Sequence, residues 1–143
     1  MLEYNIDRIR QIMGEINAAL RKLDGYAGIA EEEFLANPEK VDGAKYNLIV
    51  AIEGAMDICS SIVARAGGRA PQDNADCFQV LGELGFLEEG FVARLKRMAR
   101  FRNLLVHLYW KVDDRKVLSI LKEDIRDIRE YLEVINKAVA RGA

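Results

Sequence analysis

Apolar residues recur every three or four positions along the chain, the spacing of one buried helix face, and do not alternate as strand positions would. Ile6, Ile9, Ile12, Met13, Ile16, Leu20 and Leu23 predict a first helix from about Tyr4 to Asp24, ended near Gly25 and Gly28. A short helical piece is expected at Glu31 to Leu35. Asn37-Pro38-Glu39 supplies a cap, a first-turn proline and an acid, so a second helix starts there and runs to Arg65, where Gly67-Gly68 stops it. A shorter helix from Asn74 carries Phe78, Val80, Leu81 and Leu84 and ends at Gly85. Glu88 and Glu89 open the next, with Phe91, Leu95, Met98, Phe101, Leu105 and Leu108 as its apolar stripe. After a turn at Asp113-Asp114, Val117, Ile120, Leu121, Ile125, Ile128, Leu132 and Ile135 form the last. The expected fold is all-α: an antiparallel four-helix up-and-down bundle with one additional short helix.

Composition narrows this picture. The 143 residues fit a single domain, 1–143, and contain no threonine and only two prolines. Half are apolar and 31% are charged, which excludes a disordered chain. A net charge of −2 leaves nucleic-acid contact to a local basic patch. Cys59 and Cys77, without a second pair or a histidine at ligand spacing, do not make a zinc site and read as reduced thiols, Cys59 as a small core residue. The amino terminus lacks a secretory apolar run and no stretch approaches about eighteen continuous apolar residues, so the expectation is a soluble cytoplasmic protein with no membrane contact.

Candidate chemistry concentrates between Arg94 and Trp110. The segment holds the only histidine, His107, the only tryptophan, and five of the 21 basic residues within nine positions: Arg94, Lys96, Arg97, Arg100 and Arg102. At about 100° per residue, Arg102 and Tyr109 share one side of the apolar stripe, while Arg100, Asn103 and His107 lie on the other. For them to form one site, the helix must bend near its end or a second copy must complete the pocket. Histidine exchanges protons near neutrality, and a guanidinium beside it matches phosphate oxygens. Together they suit attack of an RNA 2′-hydroxyl on its own phosphate, with no metal or other cofactor. The leaving oxygen also needs an acid, and a two-fold homodimer would bring a second His107. Asn103 could orient phosphate or imidazole, and Tyr109 and Trp110 could stack on a base.

Structural readings of the same residues stand beside these. A lone histidine near a helix end also caps carbonyls, a basic run is also a solvated face, and Tyr109 and Trp110 also suit a core or an interface. Glu53 and Asp57, four apart in an apolar run, are either the polar edge of their helix, a partner for a basic residue across the bundle, or an orienting group for Arg102 or His107. No phosphate-cradling glycine loop, dinucleotide fingerprint or metal-ligand helix motif competes.

The segment F-R-N-L-L-V-H-L-Y, with Arg102, four residues, His107, one residue and Tyr109, resembles the R-x-x-x-x-H-x-Y motif of the HepT family of HEPN-domain toxins. The likeness extends through A-I-E-G-A-M-D-I (51–58), G-G-R-A-P (67–71), F-Q-V-L (78–81) and V-L-S-I-L (117–121). The resemblance implies an all-helical, homodimeric, metal-independent ribonuclease toxin with Arg102 and His107 as its catalytic pair, and Asn103, Arg100, Glu53 and Asp57 are the candidate supporting residues. It implies a nucleotidyltransferase antitoxin, MntA, that attaches AMP to Tyr109, and RNA as substrate; the charged nucleotide would repel RNA phosphates. The alternative is a non-catalytic helical partner of a nucleotidyltransferase, presenting Tyr109 or a nucleotide pocket.

Overall fold

Side-chain caps set where the helices begin. In the computed structural model, which describes residues 5–142, Asn5 accepts from Arg8 N at 3.1 Å at the head of α1 (Ile6–Ala27). Tyr4, the expected first residue of that helix, lies outside the described residues. After α2 (Glu31–Leu35), Asn37 accepts from Lys40 N at 3.2 Å and Pro38 occupies the first turn of α3 (Pro38–Ala66). Gly67 ends α3 with φ +76°, a left-handed conformation that costs a residue without Cβ nothing. Asp73 caps α4 (Asn74–Glu83) by accepting from Asp76 N at 2.7 Å. Then come α5 (Glu89–His107), α6 (Asp114–Ser119) and α7 (Ile125–Gly142).

Three boundaries depart from the sequence expectation. α1 continues through Gly25 to Ala27, where Tyr26 packs edge-on against Phe34 with ring centroids 6.4 Å apart. α5 stops at His107, and a 3-10 turn at Tyr109–Lys111 follows. The single last helix is instead α6 joined to α7 through a π-helical segment, Ile120–Asp124; Asp113 is the cap of α6, accepting from Arg115 N, and Asp114 its first residue. The extra residue in the π turn keeps Val117, Leu118, Ile120, Leu121 and Ile125 all on the core.

The long helices alternate in direction. Gly54 of α3 lies against Ile16 of α1 and Gly43 against Tyr26, Glu53 meets Arg102 while Lys45 meets Tyr109 just past α5, and Arg94 of α5 meets Asp127 while Phe101 lies beside Lys116 and Ile120, so residue numbers rise along one helix as they fall along its neighbour. α3 is the centre, touching α1, α4, α5 and α7. Its small residues Ala44, Ala51 and Ala55 are buried and admit close approach. Tyr131 of α7, wholly buried, donates to Ala55 O at 3.0 Å and packs edge-on to Phe78. Cys59 and Cys77 are buried free thiols. Among the described residues α3 alone is long and apolar enough to cross a membrane, and its apolar positions belong to this core.

Two glycines should answer substitution with opposite signs. Gly14 lies in α1 with nothing near its missing Cβ, so Gly14→Ala should stabilise by about 0.5–1 kcal/mol through helix propensity. At Gly54 an added Cβ would stand 2.5 Å from buried Ile16 Cγ1, and Gly54→Val should cost about 1–3 kcal/mol. Urea denaturation of both variants measures the difference.

Candidate active site

The motif is built at a helix end. Leu108 leaves helical geometry (φ −133°, ψ 43°), its N–H closing the last turn on Leu104 O at 2.8 Å. It is 38% exposed, so it is not the core position that the apolar stripe suggested. The break redirects Tyr109: rather than continuing along the Arg102 face of a straight helix, it swings on the 3-10 turn toward the start of α3. The chain thus bends at the end of α5, but Tyr109 meets Asp42 and Lys45 there, whereas Arg102 meets Glu53 and Asn103.

Arg102 turns inward to α3. Its Nε and one terminal nitrogen donate to Glu53 Oε1 at 3.1 and 2.6 Å, and the other terminal nitrogen donates to Asn103 Oδ1 at 2.9 Å. A guanidinium has five N–H donors, so about two remain for a ligand. Of the two acids four apart on α3, Glu53 therefore orients the arginine. Asp57 does not: it is exposed, it makes no hydrogen bond to Arg102 or His107, and partial burial with the neighbouring Glu53 charge raises its carboxyl above the ordinary range. His107 is exposed at the terminus of α5 and has no hydrogen-bond partner among the described residues.

Arg100 and Asn103 line a cavity of about 270 Å³ on the opposite side of α5, shared with Lys96 and with Gln72, Asp73, Ala75 and Asp76 at the start of α4. Asn103 thus touches both the Arg102 side and this cavity. Arg94, expected in the same basic patch, faces elsewhere: it is paired with Asp127 at 3.1 Å and Glu130 at 3.7 Å, and lies over the Phe91 ring.

Tyr109 rests on two residues that the sequence did not single out. Its hydroxyl donates to Asp42 at 2.5 Å, and Lys45 Nζ sits 4.4 Å from the ring centroid. Lys45, only 5% exposed, also reaches Tyr109 O at 3.4 Å and Asp114 at 3.2 Å, which satisfies its buried charge. Burial and the Asp42 carboxylate push the phenol up to about 12. The available signal was spacing: Asp42, Lys45 and Glu53 fall on one stripe of α3. Around the motif Leu104, Val106, Leu108 and Trp110 are exposed, Trp110 at 77%, as is Tyr46 on α3.

Comparison with known proteins identifies the family and the fold. The family model described as HepT-like (Ribonuclease HepT-like) matches residues 16–135. A protein of Archaeoglobus fulgidus named "Putative RNase" is 41% identical over 91 residues, 64% of this chain and 68% of the relative. The mRNA nuclease HepT of Shewanella oneidensis is 26% identical over 94 residues, 66% of this chain and 71% of that one. Among solved structures, the tri-AMPylated Shewanella oneidensis HEPN toxin in complex with its MNT antitoxin superposes with a TM-score of 0.84 at 22% identity, covering 90% of this chain and 96% of that one. YutE, a cytosolic Bacillus subtilis protein of unknown function, gives 0.86 at 15% identity over 99% and 95%.

The Tyr109 environment has a pH signature. Because the folded phenol is held near 12, above the ordinary value of about 10, the neutral ring contributes stability that is complete below pH of about 10 and lost as pH rises toward 12. In tyrosinate absorbance titrations, the component removed by Tyr109→Phe should have its midpoint near 12, and Asp42→Asn should lower it.

Proposed function

Because the chain belongs to the HepT-like ribonuclease family, we propose that it is a metal-independent endoribonuclease toxin of a toxin–antitoxin pair, acting through Arg102 and His107. One observation carries the reading: a half-buried guanidinium, fixed by Glu53 and Asn103 with donors to spare, stands just over one helical turn before an exposed imidazole. His107 takes the proton of an RNA 2′-hydroxyl, and the freed oxygen attacks the adjacent phosphorus. Arg102 binds the phosphate oxygens as charge accumulates there. The 5′-oxygen leaves with a proton, giving a 2′,3′-cyclic phosphate and a 5′-hydroxyl.

A second copy completes this chemistry. Each chain has one histidine, and the exposed Leu104, Val106, Leu108 and Trp110 surround it, an apolar surface of the kind that marks an interface. A two-fold homodimer across it brings two His107 side chains to one cleft, one as base and one as acid. In the same reading an MntA-like nucleotidyltransferase antitoxin silences the toxin by transferring AMP to Tyr109. The AMPylated Shewanella toxin supports this for the fold. Adduct formation replaces the hydroxyl proton that Asp42 now accepts and puts a bulky, negatively charged nucleotide on the motif, where it repels RNA phosphates.

Purified protein in EDTA should cut a mixed RNA pool to cyclic-phosphate ends. His107→Ala should abolish cleavage, and Arg102→Ala should lower kcat by about 10²–10³-fold, the usual cost of one oxyanion donor. Cleavage that survives His107→Ala would refute the assignment, and absence of cleavage by AMP-free wild type would favour the non-catalytic partner of a nucleotidyltransferase. Light scattering at micromolar concentration should give twice the chain mass; the single-chain mass would remove the shared cleft.

A further inference from the structure

The cavity between α4 and α5 is lined by acids that are bonded within their own loop and by cations that meet no carboxylate at ion-pair distance. Its lining contains two acids, Asp73 and Asp76, and two cations, Lys96 and Arg100. The acids are already engaged. Asp76 receives Arg69 through both carboxylate oxygens, at 2.7 and 2.8 Å, and also Gln72 N at 2.9 Å, and the Arg69 guanidinium holds its carboxyl well below the usual carboxylate range. Asp73 Oδ1 accepts from Asp76 N, which fixes this carboxylate in the loop without cancelling its charge. The cations are not neutralised. Lys96 reaches only the neutral amide of Gln79, at 3.2 Å, and neither Lys96 nor Arg100 forms an ion pair among the described residues.

Asn103 adds a donor. A guanidinium can only donate, so Asn103 must offer Arg102 its oxygen, which leaves its NH₂ for the cavity side. An incoming group therefore meets Lys96, Arg100, the Asn103 amide hydrogens and the exposed Gln72 side chain. That set suits an acceptor-only, negatively charged ligand: a phosphodiester.

Position along α5 identifies which phosphodiester. Arg100 precedes His107 by seven residues, two turns on one face and about 10 Å of rise. A proton acceptor must approach within about 3 Å of its reacting hydroxyl, so one phosphate cannot be handled at both places. We propose that this cavity is a subsite for the phosphate of a neighbouring nucleotide in single-stranded RNA, with Lys96 and Arg100 as its charge and Gln72 contacting the nucleotide. Asn103, bonded to Arg102, ties the subsite to the catalytic pair. The loop that forms the far wall is held by Arg69, which also grips Glu83. The identity of the ligand rests on the ribonuclease reading; the presence of an anion subsite does not.

The test uses the full-length protein and a short, uncleavable 2′-O-methyl oligoribonucleotide, with binding followed by fluorescence anisotropy across a salt series. Lys96→Gln with Arg100→Gln should weaken binding about tenfold or more, and reduce the slope of log K against log salt by about 0.7, the value of one single-strand phosphate. Gln72→Ala should weaken binding with the slope unchanged. Arg21→Gln, which removes an exposed charge on α1, should change neither. In cleavage, the double variant should raise KM on longer RNA several-fold more than on a dinucleoside monophosphate, which has only the scissile phosphate. A slope equal to that of Arg21→Gln, or an equal loss on the dinucleotide, would overturn the subsite. If wild type cleaves nothing but the slope still falls, the subsite stands and the ribonuclease reading fails.

Discussion

The contact on which the site depends is the pair between Arg102 on α5 and Glu53 on α3. A cation pointing toward a bundle core is costly unless a carboxylate meets it. Here both partners keep some exposure, 20% and 42% of their side chains, so the pair is worth at most about 1 kcal/mol. Its effect is orientation. Two nitrogens on one carboxylate oxygen and a third on Asn103 fix the plane of the guanidinium, and the unused N–H groups then have a defined direction before any ligand arrives.

Much of this was legible in the sequence, and the reasons differ by level. The start of α3 could be read because its signal is local: Asn37-Pro38 caps where it stands. The end of α5 was not legible, because Leu105 and Leu108 continue the apolar period across the break. What decides it lies downstream, where Val112 is buried and Asp113 must begin another helix. The π turn at Ile120–Asp124 was hidden for the same reason, since periodicity reports which residues face the core but not the residue inserted between two faces.

At the site, spacing separated Arg100, Asn103 and His107 from Arg102; in space Arg100 keeps to the cavity side, while Asn103 lines the cavity and also bonds Arg102. It could not choose between Glu53 and Asp57, which share a face. The choice is the axial register of α3 against α5, and that is fixed by non-local packing between the two helices, which periodicity does not carry. Asp42 and Lys45 escaped notice because their partner is Tyr109, whose direction follows from a helix end that the pattern did not reveal.

Exposed apolar side chains and polar chemistry sit together at this helix end. Leu104 and Val106 are exposed on the last turns of α5, and Trp110 projects from the 3-10 turn that follows while Val112 returns to the core. In the proposed dimer, covering Trp110, Leu104 and Val106 would also remove water from Arg102 and His107, and attraction between a guanidinium and a developing phosphorane charge strengthens as the local dielectric falls. In the proposed dimer, assembly and catalysis would then draw on the same surface: the area holding two copies together would be what makes a single arginine and a borrowed second histidine sufficient.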